Sequence, residues 1–186
     1  MKKRLLKLLK EFRGIFEDYN IQSPVDYYKA LCLWVNKNKT IFGEESISFN
    51  RLDILTSLDI EKYLSNINCN INLAEIDFDG EKDRIRNINF QTMDGLLMYI
   101  SETMFEIVTI PCSKVCCYCI CGNVRYIKIN YNDCEGKVVA ECQDCGNIMD
   151  INGKKITEKI QNWLPATKEE IDMECLYSSV GRVHDC

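Results

Sequence analysis

Between residues 112 and 147 the chain reads CSKVCCYCICGNVRYIKINYNDCEGKVVAECQDCGN. Cysteines crowd its two ends and its middle alternates. At the far end, Cys142-Gln-Asp-Cys145-Gly146-Asn147 sets two thiols two residues apart and follows them with glycine. Tetrahedral zinc takes thiolates at about 2.3 Å, and a two-residue spacer puts both sulfurs on one side of a tight turn. The glycine lets the backbone bend so that amides point at the sulfurs. The near end is less simple, with five cysteines in the eleven positions 112–122. Gly122-Asn123 repeats the ending Gly146-Asn147, which aligns Cys121 with Cys145. Cys119 is then its partner, in a spacing one residue short. The alternatives are Cys116 with Cys119, a true CxxC, or Cys117 with three residues before Cys121. The matched endings favour Cys119, Cys121, Cys142 and Cys145 as the ligands.

Strand-like sequence separates the two ends. VRYIKINY (124–131) alternates, as does the run up to KVVAEC (137–142), with Asn132, Asp133 and Gly136 as turn residues. Beyond the second CxxC, IMDI-NG-KKI predicts a hairpin with Asn152-Gly153 as a type I′ turn. Two metal-binding knuckles at the tips of antiparallel strands resemble the zinc ribbon family over residues 115–157. That resemblance implies a structural Zn²⁺ that holds together a subdomain too small to bury much core. The sequence departs from the family in its short first knuckle, which leaves two ligands open. A catalytic zinc wants an open position and often histidine, and the single histidine, His184, sits in the terminal VHDC. Cys32, Cys69 and Cys175 read as bystander thiols packed in or on helices.

Outside this segment the periodicity is helical. Leu5, Leu8, Leu9, Phe12, Ile15 and Phe16 share one face, so an amphipathic helix packed on a core is expected to about residue 18. Ser23-Pro24 opens a second helix running to about residue 36. ISFNRLDIL (47–55) reads as a short strand, and Asp59 as the cap of a short helix over IEKYLSNIN. INLAEIDFDG (71–80) alternates, with Glu75, Asp77 and Asp79 on one face. A turn at DGEKD and RIRNINF (84–90) complete an expected hairpin. From Thr92, Met93, Leu96, Leu97, Ile100, Met104 and Ile107 return to helical spacing, which Pro111 ends. The expected class is α+β, with helices flanking a small antiparallel sheet and a C-terminal ribbon. The expected divisions are 1–110, 111–165 and 166–186, the last a helix opened by a Thr167/Glu170 capping box.

Charge and composition narrow the function. The 186 residues carry a net charge of -5 and twelve cysteines. The N-terminal apolar run is broken by Lys7 and is too short for a secretory segment, which points to a cytoplasmic protein with reduced thiols. No stretch suits a membrane span. Residues 112–165 hold seven basic and six acidic side chains, so no footprint for nucleic acid is expected. Nor is there a Ser-His pair, HExxH or phosphate loop, so an enzyme is not expected. Residues 44–106 carry 13 acidic and 5 basic side chains. The chain is small and acidic, with a ribbon followed by WLPATKEEI (163–171). In these features it resembles the immunity proteins of bacterial polymorphic toxins. The resemblance implies a cognate protein toxin as partner, a basic nuclease among the possibilities. An acidic face steers such a partner and covers its phosphate-binding cleft. Glu75, Asp77, Asp79, Glu81 and Asp83 are the candidate contacts. A zinc-ribbon regulator that touches DNA or RNA is the alternative.

Overall fold

Apolar side chains three and four residues apart fold only if something covers their face. In the computed structural model, which describes residues 2–42, 47–69, 78–112, 114–131, 134–158, 160 and 162–181, that cover is other helices. The chain divides into two compact units, Met1–Ile107 and Val108–Cys186. Helix and sheet are both present, so the class is α+β.

In the first unit the described residues form helices and no strand. Helix α1 (Lys2–Arg13) and helix α2 (Ile15–Tyr19) are separated at Gly14 and bury the expected face from Leu5 to Phe16. Helix α3 (Pro24–Phe42) starts where Ser23 and Asp26 cap each other. The Asp26 amide donates to Ser23 Oγ at 3.1 Å, and that hydroxyl donates to the Asp26 carboxylate at 2.7 Å. It runs past residue 36 because Phe42 is also buried. Phe12 meets Trp34 edge to face at 5.3 Å, a favourable ring geometry. Asp59 caps a short 3₁₀ turn (Ile60–Tyr63) that passes into helix α5 (Leu64–Cys69). Met93–Val108 is a helix as its spacing requires, with the Gly95 amide bonded to Thr92 Oγ1 at 3.1 Å.

Two expectations fail here. Residues 47–55 are not a strand but lie in helix α4 (Ile47–Thr56), which buries Leu52 and Leu55, three apart. Nor is 84–90 the second arm of a hairpin: Phe78–Asn87 is helix α6, and Met93–Val108 becomes α7. Glu81, Ile85 and Ile88 recur at four and three, but glutamate hid the pattern. Its carboxylate accepts hydrogen bonds from Tyr27 at 3.2 Å and Tyr99 at 3.0 Å, and pairs with Arg84 at 2.7 Å. Paired in this way, a charged side chain can face a core. The expected strand over 71–77 lies outside the described residues.

The second unit is built on an antiparallel sheet: β1 (Pro111–Cys112), β2 (Val124–Tyr131), β3 (Cys134–Cys142), β4 (Ile148–Met149) and β5 (Asn162–Pro165). The order is β1-β2-β3-β4, and β5 pairs with β2 further along. Val124 lies opposite Cys142 and Arg125 opposite Glu141. A register shift follows Ile129, and the Gly136 amide is held by Asn130 Oδ1 at 2.8 Å. The turn assigned to Asn132-Asp133 lies outside the described residues. The 148–156 hairpin forms, with the Ile156 amide bonded to the Ile148 carbonyl at 2.8 Å. Its turn is not type I′, because Gly153 has positive φ and Asn152 does not. Instead Asp150 Oδ1 accepts the amides of Asn152 and Lys154 at 2.8 and 2.9 Å. Helix α8 (Lys168–Gly181) opens with the expected capping box. The Thr167 amide donates to Glu170 Oε2 at 2.8 Å, and the Glu170 amide to Thr167 Oγ1 at 3.3 Å. Among the described residues no helix is long and apolar enough to cross a membrane.

Candidate metal centre

The second knuckle follows from its glycine. Gly146 takes φ +67°, which turns the chain back so that its amide reaches the Cys142 carbonyl at 2.9 Å. The Cys142 amide reaches the Asn147 carbonyl at 2.9 Å, and the Cys145 amide points at Cys142 Sγ at 3.5 Å. Asn147 Nδ2 donates to Cys145 Sγ at 3.1 Å.

The first knuckle closes the same two bonds. The Cys116 amide reaches the Cys121 carbonyl at 2.8 Å, and the Ile120 amide reaches the Cys116 carbonyl at 2.9 Å. Ile120 takes φ +59°, a conformation disfavoured for a β-branched residue. Residues 116–121 therefore correspond one by one to 142–147. Cys116 stands for Cys142, Cys119 for Cys145, Ile120 for Gly146 and Cys121 for Asn147. The sequence alignment on CGN endings is two residues out of this register. The knuckles are also tied together: Asn123 accepts the Gln143 amide at 2.9 Å, and its side chain donates to Asp144 at 3.1 Å.

Four sulfurs converge between the knuckles, and a fifth, that of Cys145, lies beside them outside the mutual cluster. Those of Cys116, Cys119, Cys121 and Cys142 all lie within 4.8 Å of one another, close enough for one metal ion. Cys145 Sγ lies 3.7 Å from Cys116 Sγ. Three of the four expected ligands, Cys119, Cys121 and Cys142, thus meet in one cluster with Cys116. Cys117 is exposed and lines a hollow of about 240 Å³ with Lys114 and Gly153. Cys112 is buried in the small core formed with Val124, Ala140 and Met149. Cys116 could have been found from its CxxC spacing to Cys119.

The donor set suits a thiophilic ion. Amides of Tyr118 and Cys119 aimed at Cys116 lower its thiol below the ordinary range. Burial alone raises the Cys142 thiol, but the Cys145 amide and neighbouring sulfurs outweigh it and bring it down to about 6. Thiolates are the form that binds metal. Within the same cluster the hydrogen bond to Cys121 raises the Cys119 thiol well above the ordinary range, and in the first unit burial pushes the Cys32 thiol up to about 12. Cys175 is on α8 and exposed, rather than packed away. His184 lies outside the described residues.

The basic side chains of this unit are largely engaged. Arg125, 6% exposed, bonds Glu141 at 2.8 Å across the strands. Lys128 bonds Glu170 at 2.7 Å, and Lys114 bonds the Ile151 carbonyl. Of the expected contact residues, Glu75 and Asp77 lie outside the described residues. Asp79, Glu81 and Asp83 belong to helix α6 rather than to a strand. Glu81 is taken up by Tyr27, Tyr99 and Arg84, whereas Asp83 is exposed and 3.5 Å from Arg86. No family model matches this sequence, and no curated protein or solved structure is significantly similar to it.

Proposed function

We propose that this chain is a non-enzymatic protein whose work is to bind another protein, with a structural Zn²⁺ held by Cys116, Cys119, Cys142 and Cys145. The observation that carries the metal assignment is the correspondence of the two knuckles. In that correspondence the pair Cys119–Cys142 matches the pair Cys145–Cys116, and the two separations are 3.5 and 3.7 Å. Tetrahedral zinc with sulfur at 2.3 Å asks for about 3.8 Å between ligands. Cys121 lies at 3.1 Å from both Cys119 and Cys142, tighter than that spacing. This set replaces Cys121 with Cys116 in the expectation from sequence. Four thiolates close the coordination shell, which supports a structural rather than catalytic ion.

The partner reading rests on charge. The net charge of -5 and the acidic 44–106 stretch favour a basic protein partner. Neutralisation of a toxin, as an immunity protein does, is the specific form proposed. Asp83 with Glu75, Asp77 and Asp79 remain its contact candidates, while Glu81 serves the helix. The engagement of Arg125, Lys128 and Lys114 within the chain argues against the nucleic-acid alternative.

A tagged pull-down from the native cell, washed at two salt concentrations, tests the partner. A stoichiometric basic protein, whose activity this chain then inhibits, is the expected result. Nucleic acid that leaves at high salt would overturn it. Reversing Asp77 and Asp83 to lysine is expected to weaken capture about tenfold or more; undiminished capture removes that face. Native mass spectrometry of the purified chain is expected to show one zinc.

A further inference from the structure

On the zinc reading just given, the first knuckle carries one sulfur more than the metal needs. Cys121 occupies the place of Asn147. Each follows a residue of positive φ, each gives its carbonyl to the first amide of its knuckle, and each side chain reaches the preceding ligand sulfur. The separations are 3.1 Å from Cys121 to Cys119 and 3.1 Å from Asn147 to Cys145. Asparagine at that place can only donate a hydrogen bond. Cysteine at that place can also form a bond.

Exposure differs among the sulfurs in a way that matters. Cys116 and Cys142 are buried, Cys119 is exposed and Cys121 is half-buried. An oxidant in solution therefore meets Cys119 before Cys116 or Cys142. Cys145 is exposed as well, but its neighbour is Asn147, which cannot resolve an oxidised sulfur.

We propose that Cys119 and Cys121 are an oxidation site: a peroxide closes a disulfide between them and opens the zinc centre. The Cys119 thiolate attacks a peroxide oxygen. The O–O bond breaks, a sulfenic acid forms on Cys119 and hydroxide leaves. Cys121 Sγ then attacks Cys119 Sγ. The S–O bond breaks, the S–S bond forms, and the Cys121 proton departs with the second hydroxide as water. Two electrons pass from the two sulfurs to hydrogen peroxide, which ends as one hydroxide and one water. The sulfurs must close from 3.1 Å to about 2.0 Å. Every other sulfur within reach of Cys119 is a ligand and must leave the metal before it can resolve. Cys121 need not, so it resolves first. The centre is left with three thiolates, and the ribbon loses its clamp.

The test uses the full chain loaded with zinc, hydrogen peroxide, and a coloured chelator to read metal release. Wild type is compared with Cys121→Asn, Cys121→Ser and Cys117→Ser. All four are expected to start with one zinc. Both Cys121 variants are expected to release it at least about tenfold more slowly, because the resolving thiol is lost. Cys117→Ser is expected to behave as wild type. Wild-type intact mass should fall by two hydrogens as zinc leaves. Equal release from wild type and the Cys121 variants overturns the proposal, as does slowing in Cys117→Ser alone. If the Cys121 variants bind no zinc while wild type does, Cys121 is a ligand and the proposal falls. A wild type without zinc overturns the metal reading itself, and this one with it.

Discussion

Residues 116–121 and 142–147 close the same pair of backbone hydrogen bonds, yet one turn carries Ile120 where the other carries Gly146. A left-handed conformation costs an L-residue about 1–2 kcal/mol. The second knuckle avoids that cost through its glycine. The first bears it on a side chain left 84% exposed, so no burial of Ile120 offsets it. What selects the turn at 116–121 is therefore not the local preference of residue 120. Sulfurs brought together by the strands on either side select it, and glycine serves the second knuckle without being required by the first.

The largest expected break is at a buried sulfur. Cys142 belongs both to the metal cluster and to the small core with Val124 and Met149. On the proposed zinc reading, Cys142→Ala should abolish metal binding and forfeit much of the roughly 10–16 kcal/mol that a structural zinc supplies. Hydrogen exchange should then show protection lost from β2 and β3, while α1, α3 and α7 keep theirs. Full metal content in this variant would falsify the ribbon assignment.

The next effect lies one residue from the knuckles. Arg125 and Glu141 follow and precede the Val124–Cys142 pair in register, and their ion pair is nearly buried. Removing one partner leaves a charge without its mate. Arg125→Ala should cost about 3–5 kcal/mol, read from the denaturation midpoint of the second unit. A loss below about 1 kcal/mol would place the pair with ordinary surface bridges.

Exchanging the turn residues addresses the comparison directly. Gly146→Ile should destabilise by about 1–2 kcal/mol, the left-handed penalty. Ile120→Gly should stabilise by less, under about 1 kcal/mol, because glycine also loosens the unfolded chain. Thermal melts of the zinc-loaded proteins measure both. Equal and null effects would mean the two turns are not equivalent.

The smallest effect is on acid stability. Burial tends to raise the Glu170 carboxyl, but Lys128 and the Thr167 amide outweigh it and leave it below the ordinary value. A depressed folded pKa gives stability that is present above the unfolded value and lost as pH falls through the folded one. Glu170→Gln should therefore flatten the decline in melting temperature below about pH 4.3 and lower the plateau above it. An unchanged profile would show that Glu170 contributes nothing by its charge.

Much of this molecule can be read from its residues one at a time. The stripe from Leu5 to Phe16, the helix start at Ser23-Pro24, the Thr167/Glu170 capping box and the helix from Met93 were legible because each signal is complete within a few residues. So was the second knuckle, whose glycine and spacing are local. Helix α6 was not legible, since Glu81 counts as polar until Tyr27 and Tyr99, 54 and 18 residues away, supply their hydroxyls. Helix α4 was missed because a short apolar run has no clear period until Leu52 and Leu55 find a core.

The sequence by itself determined that two clusters of thiols flank an alternating segment, and that helices precede it. Tertiary structure decided which thiols meet. Spacing offers Cys119 with Cys121, Cys116 with Cys119 and Cys117 with Cys121 as the first pair on similar terms, because a turn of one to three residues costs little to vary. Only when β2 and β3 pair in a fixed register, with Val124 opposite Cys142, do the sulfurs of Cys116, Cys119 and Cys121 meet that of Cys142. Register acts over the whole sheet, since a slip of one residue would turn every strand side chain to the other face. That constraint is absent from any single stretch of the chain, and it sets Cys116 in the cluster and Cys117 outside it.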